Sequence, residues 1–172
     1  TALALTDDGK SIAIASTYDV DGSFACELIV LGVDASDSDF THVLTNKLPL
    51  KLRWLSNGDL CVVYSDGAQI YSKNGTLLSE LSFSSMSALN IAVGDDLILA
   101  VHNTTVLGYD KTVNIYDGNA ELIYTASLEG ELIKAASYGK KVCLLFENRL
   151  VMIDPYENKM YEASVLPNAK DI

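Results

Sequence analysis

A short turn followed by an apolar strand recurs four times along this chain, and no other feature restricts its fold as tightly. The copies are Asp8-Gly9-Lys10-Ser11-Ile12-Ala13, Asn57-Gly58-Asp59-Leu60-Cys61, Gly94-Asp95-Asp96-Leu97-Ile98 and Tyr138-Gly139-Lys140-Lys141-Val142-Cys143. A second landmark, an apolar strand ending in a polar residue and a turn, follows each copy: Val33-Asp34, Tyr71-Ser72, Tyr116-Asp117 and Ile153-Asp154. The polar members lie 38, 45 and 37 residues apart. Self-similarity at such a period marks a repeat architecture, in which each unit is one supersecondary motif that buries its apolar face against the next.

Patterning inside the units predicts strands and no helix. In the second unit they fall at about 50–55, 59–65, 67–72 and 76–83, joined by Ser56-Asn57-Gly58, Asp66-Gly67 and Lys73-Asn74-Gly75, which are hairpin-turn sequences. The third unit reads as strands at about 88–93, 96–102, 111–117 and 120–128, and the fourth at about 132–137, 140–146, 148–154 and 158–165. The first, at about 2–5, 11–18, 23–33 and 39–45, is the most irregular. Dividing 172 residues by four gives 43 per unit, against the roughly 40 to 45 of a four-stranded propeller blade. Blades are therefore expected at about 1–47, 48–86, 87–129 and 130–168.

The segment Thr112-Val113-Asn114-Ile115-Tyr116-Asp117-Gly118-Asn119-Ala120-Glu121-Leu122 resembles the third-to-fourth-strand hairpin of a WD40 repeat, with Tyr116-Asp117 where that family has Trp-Asp. Arg149-Leu150-Val151-Met152-Ile153-Asp154-Pro155 is similar to the corresponding hairpin of quinoprotein-like propellers. The Gly-His pair of WD40 repeats and the Trp-Asp dipeptide are both absent, so the resemblance reaches the superfold and no subfamily. It implies an all-β chain, a β-propeller of about four four-stranded antiparallel blades; this is a closed four-bladed ring, half of an eight-bladed ring completed by a second copy, or an open arc of a larger ring, and the last two are preferred. End blades of an arc expose apolar faces, so self-association is expected. Propellers host enzymes, ligand binders and scaffolds, so the superfold alone assigns no activity.

Composition removes several classes. With 49% hydrophobic residues the chain can bury a core, and no apolar run reaches the ~18 residues of a membrane helix. A net charge of -11 repels phosphate backbones and anionic lipid, so neither nucleic-acid binding nor direct membrane contact is expected. Thr1 stands where a start methionine would, and a strand-like run follows at once. We therefore expect a piece of a longer bacterial protein, extracytoplasmic or at the cell surface and anchored through a missing N-terminal segment.

In a four-stranded meander the loops alternate between two ends, which sorts the charges. The first-to-second and third-to-fourth loops collect Asp7, Asp8, Asp34, Asp37, Asp39, Asp95, Asp96, Asp117 and Asp154, an acidic end. Asp34-Ala35-Ser36-Asp37-Ser38-Asp39 and Asp19-Val20-Asp21-Gly22-Ser23 carry oxygen ligands of the kind calcium takes. The two lie at opposite ends, and the second lacks the distal glutamate, so Asx-rich turns are preferred and no metal or cofactor is expected. Cys61 and Cys143 occupy matching repeat positions, filled by Ala13 and Ile98 elsewhere, which is core behaviour; His42 and His102 offer neither cysteine a patterned base. Trp54 either stacks on a ligand near the axis or packs between blades, and packing is the preferred reading.

The loop between second and third strands is tight in units two and four and long in units one and three. Long loops on a rigid scaffold are where binding is placed. Partner anchors are therefore expected at Tyr18 and Phe24 in the first unit and at Val106, Leu107 and Tyr109 in the third. The functional expectation is a non-enzymatic scaffold for a protein or glycan partner. The alternatives are part of a propeller enzyme whose axial site needs further blades, and a purely structural spacer.

Overall fold

The computed structural model describes residues 1–32, 38–45, 47–83, 90–104 and 110–165, and among them every regular element is a strand. The first sheet holds β1 (Ala2–Leu5), β2 (Ser11–Val20), β3 (Ser23–Gly32) and β4 (Ser38–Thr45). The second holds β5 (Pro49–Trp54), β6 (Leu60–Tyr64), β7 (Gly67–Tyr71) and β8 (Leu77–Ser82). The third holds β9 (Asn90–Val93), β10 (Leu97–Asn103), β11 (Asp110–Asp117) and β12 (Leu122–Glu129), and the fourth β13 (Leu132–Tyr138), β14 (Lys141–Phe146), β15 (Arg149–Asp154) and β16 (Lys159–Ser164). Every sheet is an antiparallel meander in chain order.

The recurring turn sets this topology. At the first, Gly9 N–H donates to Thr6 O (2.9 Å) and Thr6 N–H to Ser11 O (3.0 Å); at the second, Gly58 N–H donates to Leu55 O (2.8 Å) and Leu55 N–H to Asp59 O (2.9 Å). Gly9 and Gly58 sit at φ 69° and 83°, a left-handed conformation that costs a side-chain-bearing residue about 1–2 kcal/mol. The glycine that punctuates the repeat is thus a backbone requirement.

The chain forms two compact units, Thr1–Ser82 and Phe83–Ile172. In the first unit the core lies between sheets one and two, and it pairs small residues with large ones. The first sheet contributes Ala13, Ala15, Cys26, Leu28 and Val30, with Ala2 and Ala4 at its edge; the second contributes Leu52, Trp54, Leu60, Val62, Tyr64 and Tyr71. Each fully buried aliphatic side chain such as Leu60 or Val62 contributes about 1.5–3 kcal/mol. In the second unit Leu97, Leu99, Val101, Val113 and Ile115 of the third sheet meet Val142, Leu144, Phe146, Val151 and Ile153 of the fourth.

Strand register corrects one repeat assignment. Ala13 pairs with Ala4, Cys61 with Arg53 and Cys143 with Ala136. The corresponding pair in the third sheet is Leu99 with Ala92, so Leu99 and not Ile98 shares their position. The cause is a tighter turn, closed from Gly94 N–H to Leu97 O (2.9 Å), which advances the strand by one residue relative to the Leu55–Asp59 closure.

Candidate interaction site

The β2–β3 hairpin is the longest in the structure's described part: both strands run 10 residues, against 5 each for β6 and β7. Strand pairing continues to the tip, so Tyr18 through Phe24 form an extended hairpin closed by Asp21-Gly22. Those residues lie at φ 51° and 81°, the two positive values that match a tight turn to the twist of its strands. Gly22 N–H also reaches Asp19 Oδ1 at 3.3 Å.

Pairing fixes which way the tip residues face. Tyr18 pairs with Ala25, Asp19 with Phe24 and Val20 with Ser23. Tyr18 and Val20 therefore share one face, whereas Phe24 lies on the other, in line with Cys26, which belongs to the core shared with sheet two. Tyr18 and Phe24 are 41% and 45% exposed. The expected anchors form a two-sided ridge. Val106, Leu107 and Tyr109, between β10 and β11, lie outside the described residues.

At the opposite end of the first unit a crevice of about 440 Å³ is lined by Thr6, Asp7, Asp8, Ser11, Trp54 and Lys73, among others. Asp8 Oδ1 accepts from Lys10 N–H (3.0 Å) and from the Thr6 hydroxyl (2.8 Å). These bonds, the Lys10 amide first, hold its carboxyl below the usual carboxylate range. Trp54 floors the crevice as a packed residue, its Nε1–H donating to Ala4 O at 3.3 Å. That is the between-blade reading of Trp54.

The acidic loops elsewhere use their carboxylates locally. Asp117 Oδ1 accepts from the amides of Asn119 and Glu121, both at 2.9 Å, and Asp154 Oδ1 from Glu157 N–H at 3.1 Å. They act as Asx turns. Among the described residues no group of three or more His, Cys, Asp and Glu side chains is placed to hold a metal ion. Asp19 and Asp21 belong to the hairpin tip, and Asp34 and Asp37 lie outside the described residues.

Sequence reading missed two tyrosines. Tyr138, beside the Gly139 turn, is 86% exposed, and Tyr156 is half-exposed with Lys140 Nζ 5.4 Å from its ring centroid. Partial burial raises the Tyr156 hydroxyl, helped by the negative charges of Asp117 and Asp96. The available signal was an aromatic residue inside a turn sequence, in Tyr138-Gly139 and Pro155-Tyr156.

Burial pushes the Cys61 thiol up to about 12 and raises Cys26 and Cys143 as well, and a protonated thiol is a poor nucleophile. His42 Nε2–H donates to Gly75 O at 2.6 Å, and its ring lies 5.4 Å from Phe40 and 5.2 Å from Tyr71.

Four four-stranded antiparallel meanders, packed face to face in pairs within each unit, are blades of a β-propeller, and solved structures match the chain on that basis. The WD40 domain of Pan2 from Neurospora crassa aligns with a TM-score of 0.64 at 12% identity, over 97% of this chain and 53% of its own. BamB from Moraxella catarrhalis gives 0.60 at 11% identity, over 94% and 51%. The WD40 β-propeller domain of Doa1 gives 0.58 at 10% identity, over 92% and 52%. The chain spans about half the length of these structures, and likeness at such identities defines the fold alone. No protein-family model matches the sequence, and no curated protein does.

Proposed function

We propose that this chain is a non-enzymatic interaction scaffold that presents the β2–β3 hairpin to a protein partner. The observation that carries the reading is the hairpin itself: strands twice the length of β6 and β7, ending in half-exposed Tyr18, Val20 and Phe24. Aromatic side chains bury large area at low entropic cost, which is why they anchor interfaces. A two-sided ridge suits a cleft in a folded protein better than a glycan, whose hydroxyls call for converging polar groups. The raised thiols and the structural role of His42 favour a scaffold over covalent catalysis.

A photo-crosslinking side chain at position 24 tests this in lysate of the source cells, with a control at Ala68 in the buried β7 strand. One dominant adduct from position 24, reduced by Tyr18→Ser, is the expected result. Equal labelling from both positions would overturn the assignment.

A further inference from the structure

The Gly58 turn leaves room for a side chain from another turn. A Cβ at Gly58 would stand 2.5 Å from Lys73 Cε and 3.1 Å from Lys73 Nζ. The stem of Lys73, carried on the turn after β7, therefore lies across the bare backbone of the turn after β5, and its end reaches the crevice of about 440 Å³ in the first unit. An alanine or larger residue at position 58 would push the ammonium out of that place.

The polar groups of the crevice divide into those already engaged and those with capacity left. Thr6 and Asp8 spend theirs inside the β1–β2 turn, on each other and on the amides of Ser11 and Lys10. The Asp7 carboxylate, the Ser11 hydroxyl and the Lys73 ammonium have no hydrogen-bond or ion-pair partner among the described residues, and the charge of Lys73 reaches Asp8 only through space. One accepts, one donates and accepts, and one donates. Beneath them the floor is apolar, made by the buried Val30, Trp54 and Leu55.

This set selects a kind of ligand. The charges at the crevice balance, with Asp7 and Asp8 against Lys73 and Lys10, the last 4.0 Å from Asp8, so neither an anion nor a cation is favoured as such. A neutral solute with hydroxyls along one edge and C–H groups on a face uses all of the unspent groups and covers the floor. The volume of about 440 Å³ lies within the roughly 300–1,000 Å³ of small-molecule sites.

We propose that this crevice is a binding site for a neutral saccharide, a mono- or disaccharide unit whose hydroxyls meet Asp7, Ser11 and Lys73 while its C–H face covers Trp54 and Leu55. The site lies at the opposite end of the first unit from the Asp21-Gly22 tip and does not depend on the protein partner proposed for the hairpin.

Trp54 is the single tryptophan of the chain, so its indole N–H resonance reports on the crevice floor. Glucose, galactose, mannose, N-acetylglucosamine, maltose and cellobiose are titrated into the intact chain, with that resonance and saturation transfer to the sugar protons followed by NMR. At least one sugar should shift the resonance saturably, and equally at low and high salt, because a neutral ligand forms no charge pair for salt to screen. Lys73→Met and Asp7→Ala, both at exposed positions, should each weaken that binding by about tenfold, the loss of a hydrogen bond to a charged group, with the far-UV spectrum unchanged. Lys140→Met, which removes the same charge in the second unit, should leave it as it was. A panel with no saturable response overturns the proposal, as does a response that survives both Lys73→Met and Asp7→Ala. Glycine, glutamate and lysine serve as charged probes, and tighter binding of one of them, fading with salt, would assign the crevice to a charged ligand and overturn the proposal too. None of these outcomes bears on capture from position 24, so the two readings fail separately.

Discussion

The indole nitrogen of Trp54 donates a hydrogen bond to the main-chain carbonyl of Ala4, 3.3 Å away in the neighbouring sheet. It joins two blades by a polar contact within a largely apolar seam, as the His42–Gly75 bond does between the same sheets. Trp54→Phe keeps most of the packing and leaves the carbonyl unserved, so a loss of about 1 kcal/mol is expected. Trp54→Ala opens a cavity against Ala13 and Ala15 and should cost about 3–5 kcal/mol. Urea unfolding followed by far-UV circular dichroism checks both, since the chain has a single tryptophan and either variant removes its fluorescence.

Two glycines should respond to alanine for different reasons. A Cβ on Gly67 would lie 2.0 Å from the carbonyl oxygen of Leu81, inside the β7–β8 ladder, where backbone has to move. Gly139 has φ 52° and open space around it, so only its own conformation is strained. We expect Gly67→Ala to lose about 2–3 kcal/mol and Gly139→Ala about 1 kcal/mol. Equal losses in chemical denaturation would show that the β7–β8 ladder relaxes freely.

Turn residues made much of the fold legible, and alternation did where one sheet face differs from the other. Gly9 and Gly58 announce their turns because the backbone there is left-handed. The misassignment of Ile98 has an equally physical origin. Leu97 through Val101 are all buried, so the strand shows no polar phase from which to read its register. The opposed faces of Tyr18 and Phe24 follow from a turn confined to Asp21-Gly22, and a one-residue change in that turn would have put them together. Exposure of Tyr138 depends on what its neighbours leave uncovered, which no local pattern encodes.

Stability should fall in alkali, with Cys61 contributing. Burial raises its thiol from 9.0 to about 12, so the folded state keeps a proton that the unfolded chain releases. Its contribution is therefore complete below pH 9 and is lost as pH rises toward 12, at about 1.4 kcal/mol per pH unit. Tyr64 and Tyr71, also raised by burial, add a later loss that starts near pH 10. Cys61→Ala removes only the first component. Unfolding free energies at pH 7.5 and pH 10 should thus differ less in the variant than in the parent, and identical pH dependence would show that the thiol ionises normally in the fold.

The hairpin makes a prediction that its geometry divides in two. Tyr18 and Phe24 lie on opposite faces of one ladder, so a partner that closes around the ridge touches both, and one that lies flat touches only one. Both side chains are about half-exposed, so replacing either with serine should change stability by no more than about 0.5 kcal/mol. For a cleft-like partner, Tyr18→Ser and Phe24→Ser should each weaken capture, and the double variant should show close to the sum of the two losses, because the side chains share no contact across the sheet. Titration of the captured partner against the three variants reads this directly. An effect from Tyr18→Ser alone would instead assign the partner to the face that Tyr18 shares with Val20.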